Sequence, residues 1–165
     1  PRQGDTVNPL LQYCQDLPEL TLIEGQVIVA ENEETNQLFV LESGVLEVYR
    51  DGETITMASE PGAVFGEMSV LLSIPHTASV RAVSKSTVYR VDDARTYLGN
   101  NPHFLLPIAR LLASRLRNST TYLIDLKKQF KDHSDHFAMV DEVLESMAHE
   151  QEEVFTPDSE LPIDP

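Results

Sequence analysis

The chain has 165 residues, 41% of them hydrophobic, with 12 Lys and Arg against 27 Asp and Glu; this suffices for one cored domain plus appendages. A formal net charge of −15 argues against direct nucleic-acid binding, which rests on Lys and Arg neutralising phosphates. A lone cysteine, Cys14, excludes an internal disulfide, and no apolar run approaches the roughly 20 residues of a membrane helix, so the expected location is cytoplasmic.

In chain order, residues 8–17 predict a short helix with Leu10, Leu11 and Cys14 on one face. Residues 20–91 then read as consecutive short strands. Leu20 to Leu22 precedes a Glu24-Gly25 turn, and Val27 to Val29 follows it. Leu38 to Leu41 and Val45 to Tyr49 flank Glu42-Ser43-Gly44, whose glycine is a hairpin signal. Asp51-Gly52 is a second hairpin turn, leading into Thr54 to Met57. Pro61-Gly62 turns the chain again, and Ala78 to Ala82 and Thr87 to Val91 complete seven or eight strands. Such spacing predicts a mainly β fold with flanking helices, a jelly-roll or similar small barrel.

Between the strands lies the most informative stretch. Phe65-Gly66-Glu67-Met68-Ser69-Val70-Leu71-Leu72 reads as a glycine turn opening a very short helix. His76-Thr77-Ala78-Ser79-Val80-Arg81-Ala82 follows a loop broken by Pro75. Free backbone N–H groups at such a turn suit a phosphate, and Glu67 beside them can accept hydrogen bonds from sugar hydroxyls.

The helices come next. Residues 92–98 predict a short helix capped by Asp92 or Asp93. Asn101-Pro102 begins a long helix to about Lys131, with Asn101 as cap, Pro102 at its first position and a kink or restart at Pro107. Leu112, Leu116, Ser119, Leu123, Leu126 and Phe130 recur at spacings of 4, 3, 4, 3 and 4. That heptad seam suits a helix pairing with its twin, and the alternative is packing on the barrel. A second amphipathic helix covers residues 135–150. Asp132-His133-Ser134-Asp135-His136 has the composition of a metal site but no further ligand cluster, so a polar hinge is expected and no metal. Residues 131–165 hold eleven acids against one Lys, and residues 151–165 are expected to form an acidic disordered tail.

The cassette at 65–82, with Leu22 to Ile28, Leu38 to Val48 and Pro61 to Glu67, resembles the cyclic-nucleotide-binding domain family over residues 10–130. The resemblance implies a double-stranded β-helix, a jelly-roll-like β-roll at residues 8–100. It also implies a lid helix at 101–131, similar to the C-terminal dimerisation helix of catabolite-activator-type regulators. The implied ligand is cyclic AMP or cyclic GMP, with no other cofactor and no catalytic residue. Implied ligand-binding residues are Phe65, Gly66, Glu67, Met68, Ser69, His76, Thr77 and Ala78, joined by Ser119 and Thr120 from the lid helix. Gly66, Glu67 and Met68 would offer N–H groups to the cyclic phosphate, and Glu67 would bind the ribose 2′-hydroxyl. Thr77 would reach a phosphate oxygen or a guanine edge.

The chain departs from the family at one position, His76, where the family carries an arginine. An arginine grips a phosphate with a permanently charged planar fork. A histidine of ordinary pKa is mostly neutral at pH 7. Two expectations follow. One is a cyclic-nucleotide sensor that signals through its C-terminal helix to a protein partner, as a homodimer through residues 108–130. The other is a degenerate domain acting as a dimerisation scaffold without nucleotide. No helix-turn-helix pattern follows the long helix, so neither direct DNA binding nor membrane association is expected.

Overall fold

The structure, a computed structural model, describes residues 8–129 and 138–149. The chain divides into two units, the first ending at Leu111 and the second beginning at Leu112. The described part of the first unit is a β-roll of two four-stranded antiparallel sheets. Its strands are β1 (Glu19–Leu22), β2 (Val27–Val29), β3 (Leu38–Ser43), β4 (Leu46–Arg50), β5 (Glu53–Ala58), β6 (Val64–Phe65), β7 (Ser79–Ala82) and β8 (Ser86–Val91). One sheet runs β1-β8-β3-β6 and the other β2-β7-β4-β5. This is the jelly-roll-like architecture expected from the strand spacing.

Two particulars differ from that expectation. Glu42-Ser43-Gly44 is not a hairpin, because β3 and β4 lie in different sheets. Gly44, at φ +97°, carries the chain from one sheet to the other, and a Cβ there would lie 2.6 Å from the Ser86 Cα. Ser86 anchors the crossing through its hydroxyl, which accepts from Val45 N at 3.1 Å and donates to the Ser84 carbonyl at 2.9 Å. The second difference is β6, two residues whose pairing with Phe39 and Val40 is too brief to leave a local pattern. By contrast Asp51-Gly52 is the expected hairpin: β4 pairs with β5 up to Arg50↔Glu53, and both turn residues have positive φ, as a two-residue turn requires.

The roll's interior holds Leu22, Val29, Phe39, Leu41, Leu46, Phe65, Val80, Ala82 and Val88. In β3 the intervening residues Leu38 and Val40 are also fully buried, so this strand is apolar on both faces, as a strand covered on two sides must be. Leu10, Cys14, Leu98, Phe104 and Ile108 are buried outside the roll's interior, on the segments that flank it. The helix expected at 8–17 is only a 3-10 turn, Leu11–Tyr13, and burial of Leu10 and Cys14 needs no more. Burial also pushes the Cys14 thiol up to about 12, which keeps it protonated.

Four helices are described: α1 (Glu67–Leu72), α2 (Ala94–Asn100), α3 (Pro102–Gln129) and α4 (Ala138–His149). Pro107 lies within α3; with no N–H to give, it removes one bond near the helix start, and the helix neither breaks nor restarts there. The expected cap of α2 is corrected. Neither Asp92 nor Asp93 caps α2 through its side chain; Asp93 accepts from Asn36 Nδ2 at 2.7 Å instead, and Asp92 from Gln37 Nε2 at 2.9 Å. Asn101 stands at the expected N-cap of α3, its carbonyl accepting from Phe104 N at 2.9 Å and Leu105 N at 3.1 Å, while its side chain closes α2, donating to the Tyr97 carbonyl at 2.7 Å.

In the second unit the seam residues Leu112, Leu123 and Leu126 are half-buried, Leu116 is 51% exposed and Ser119 is exposed. Lys127 of α3 forms an ion pair with Asp141 of α4. Phe130, the cluster at 132–136 and the acidic stretch 151–165 lie outside the described residues. The second helix is described only over α4.

Candidate functional site

β6 delivers the chain to Gly66, which opens α1 at φ +85°. A Cβ at Gly66 would lie 2.8 Å from the Gln37 carbonyl and 3.7 Å from His76 Cε1, so only glycine fits between them. α1 places Glu67, Ser69 and Val70 inward and leaves Met68 46% exposed. Ser69 holds the loop after the helix, its hydroxyl donating to the Ile74 carbonyl at 2.5 Å. Phe65 belongs to the roll's interior. Thr77 is exposed and Ala78 half-buried at the entrance to β7.

His76 is 4% exposed. Its backbone exchanges two hydrogen bonds with the β2–β3 loop: His76 N donates to Glu33 O at 2.9 Å, and Asn32 N to His76 O at 2.9 Å. Its Nε2 shares a 2.7 Å hydrogen bond with Thr35 Oγ1. Desolvation holds the imidazole below its ordinary pKa of 6.5, against a smaller opposing pull from Glu33. The ring is therefore neutral at pH 7 in this structure.

Two other cations near the cassette in sequence are engaged. Arg81 donates its Nε to Glu47 at 2.6 Å and sits 4.6 Å over the Tyr49 ring. Glu47, almost fully buried, also accepts from Thr54 at 2.5 Å; the Thr54 bond first and then Arg81 hold its carboxyl below the usual range. Arg95 of α2 donates its Nε to the Val70 carbonyl of α1 at 3.1 Å and lies 3.9 Å from Glu34.

The structure thus gathers Phe65, Gly66, Glu67, Met68, Ser69, His76, Thr77 and Ala78 on one cassette within the roll. Ser119 and Thr120 lie in the second unit, where Thr120 Oγ1 donates to the Leu116 carbonyl one turn back. Sequence reasoning missed Glu33 and Thr35, which hold His76 from the β2–β3 loop, and Asn36 and Gln37, which bond the residues that lead into α2. Their one signal was the polar run from Glu31 to Gln37 between two apolar strands.

The family described as the cyclic nucleotide-binding domain matches residues 19–96. A CRP-like cAMP-activated global transcriptional regulator of Mycobacterium tuberculosis is 28% identical over 130 residues, covering 75% of this chain and 58% of that protein. A cAMP-dependent protein kinase regulatory subunit of Yarrowia lipolytica is 30% identical over 78 residues, covering 47% of this chain and 20% of that protein. The chain therefore spans under two thirds of either relative. Among solved structures, the Thermus thermophilus catabolite activator protein superposes with a TM-score of 0.59 at 23% identity, covering 76% of this chain and 62% of that one. That likeness shows the same β-roll. No described helix is long and apolar enough to cross a membrane.

Proposed function

We propose, for a chain that belongs through residues 19–96 to the cyclic nucleotide-binding domain family, a regulatory sensor of cyclic AMP or cyclic GMP that signals through its C-terminal helix. The observation that carries this reading is the cassette itself. Gly66 turns at φ +85° into α1, with Glu67 buried beside it and Thr77 exposed at the mouth of β7. In this reading the Gly66, Glu67 and Met68 N–H groups seat the cyclic phosphate. Glu67 takes the ribose 2′-hydroxyl, and Thr77 a phosphate oxygen or a guanine edge. Phe65, Ser69 and Ala78 shape the seat, and Ser119 and Thr120 contact the base.

A ligand transmits a signal only by its differential affinity for two states. The roll at 8–100 is the receiving domain and the helix at 101–131 the transmitting one, pairing with a second copy through residues 108–130. Incomplete burial of Leu112, Leu116, Leu123 and Leu126 supports that pairing, because a heptad seam is stable only when covered. The output is a change presented to a protein partner, without catalysis.

A specific observation also favours a second reading, a scaffold that has lost its ligand. His76 is buried, neutral and bonded to Thr35, which suits a packing role. Titration calorimetry of the full chain with cyclic AMP and cyclic GMP, near pH 6 and near pH 8, separates the two. The sensor gives saturable heat that strengthens at the lower pH, where a bound phosphate favours a protonated imidazole. No heat with either nucleotide at millimolar concentration, at both pH values, would overturn the sensor and leave the scaffold.

A further inference from the structure

The loop between β2 and β3 touches two places at once. On one side it grips the cassette, through the paired backbones of Glu33, Asn32 and His76, the Thr35–His76 bond at 2.7 Å and the Gln37 carbonyl against Gly66. On the other it grips the start of α2. Asn36 O accepts from Ala94 N at 2.9 Å, and Asn36 Oδ1 from Arg95 N at 3.0 Å. Asn36 Nδ2 donates to Asp93 Oδ1 at 2.7 Å.

Ala94 and Arg95 are the first two residues of α2, whose N–H groups have no partner within the helix. Asn36 therefore supplies the cap that a residue next to the helix ordinarily supplies. Its neighbour Thr35 holds His76. The two residues are consecutive, and a trans peptide fixes the distance between their Cα atoms, so a displacement of Thr35 is passed to Asn36 unless φ and ψ between them absorb it. α2 in turn is separated from α3 by Asn101 alone.

We propose that Thr35 and Asn36 are a pair of positioning residues that couple the His76 side chain to the first turn of α2. A change at His76, whether a bound phosphate or a substitution, alters the hold of Thr35 and with it the cap on α2. Engagement of a nucleotide phosphate as the natural trigger rests on the sensor reading above; the coupling itself does not.

The experiment needs no ligand. Amide hydrogen exchange of the full chain is measured at Ala94 and Arg95, with Leu41 and Val83 as controls; the control amides donate to Ala63 O and Val45 O. Thr35→Val removes the bond to His76 and leaves the backbone pairing of the loop intact. Exchange at Ala94 and Arg95 is expected to rise about five- to tenfold, the equivalent of one lost hydrogen bond, with the controls unchanged. Thr35→Ser keeps the hydroxyl and is expected to restore both rates. His76→Ala breaks the same bond and also empties a buried ring, so its own rise is at least as large, and adding Thr35→Val to it is expected to raise exchange at Ala94 and Arg95 no further, because the bond they share is already gone. Unchanged rates at Ala94 and Arg95, an even rise that includes Leu41 and Val83, failure of Thr35→Ser to restore them, or additive effects would each overturn the coupling. A chain that binds no nucleotide would still give this result, so the two proposals fail separately.

Discussion

Replacing His76 by arginine tests how much binding this one position withholds. In the native protein the imidazole is mostly neutral at pH 7, because desolvation holds its pKa below 6.5. Its Nε2 is also engaged by Thr35. Arg81 does not substitute for it, being held by Glu47 and stacked on Tyr49. An arginine at 76 restores a permanent charge, and a charge-assisted hydrogen bond contributes about 1.5–3 kcal/mol. The expected gain in affinity is about ten- to a hundredfold. Loss of the Thr35–His76 bond costs about 1 kcal/mol of stability; a bound phosphate already draws on that bond, so its loss weighs on the free protein at least as much as on the bound one and does not reduce the affinity gain. Calorimetry with cyclic AMP and cyclic GMP near pH 8, where histidine contributes no charge, reads the full difference. His76→Arg should also lose the pH dependence expected of the native protein. A folded His76→Arg chain that binds neither nucleotide more tightly than the native one would refute the reasoning, because position 76 would then not face the phosphate.

The buried imidazole also makes stability pH-dependent. Its folded pKa is depressed, so the unfolded chain takes up the proton first as pH falls. The stability that neutral His76 allows is full above 6.5 and lost as pH falls through the lower folded value. Urea midpoints measured from about pH 8 to about pH 5 should fall less steeply in His76→Gln than in the native chain, and equal slopes would contradict this origin. At Gly44 an alanine meets both a positive φ and the Ser86 backbone. The expected loss is about 2–4 kcal/mol, or about 10–20 °C in thermal denaturation followed by circular dichroism; an unchanged Tm would mean that the crossing tolerates a side chain. Leu116→Glu places a charge on a seam position that is 51% exposed in the single chain. Because the second copy covers this position in the pair, the variant should lower the Tm and make it independent of protein concentration, while sedimentation velocity shows the dimer replaced by monomer. A native chain that sediments as a monomer would remove the dimer altogether.

The particulars that were legible in the sequence share a cause, and so do those that were not. Asp51-Gly52 reads as a hairpin and is one, because a two-residue turn with both φ positive is decided by its own residues. Gly44 gives the same local signal, yet there the chain leaves one sheet for the other. A positive φ serves a hairpin and a crossing equally well, and what selects the crossing is Ser86, 41 residues away at Val45 N. Asp93 matches a helix cap by type and place, yet Asn36 from a distant loop satisfies Arg95 N and turns the Asp93 carboxylate to its own amide. The apolar spacing of α3 was legible because it is a pattern within one helix, and its described residues Leu112, Leu116, Leu123 and Leu126 are half-buried or exposed in the single chain.

The candidate site divides along the same line. Gly66, Glu67, His76 and Thr77 stand out because their chemistry and spacing are local, and so the departure at His76 could be weighed before any fold was known. The state of that histidine could not. Its pKa direction comes from burial, and its side-chain partner is Thr35, a residue with no signal of its own in a polar run. A cassette therefore announces what it is built to hold, while the strength of that hold and its route to α2 depend on a loop that closes over it from more than thirty residues upstream. Substitutions at Thr35 or Asn36 should for that reason be silent in any comparison of motifs and visible at the first turn of α2.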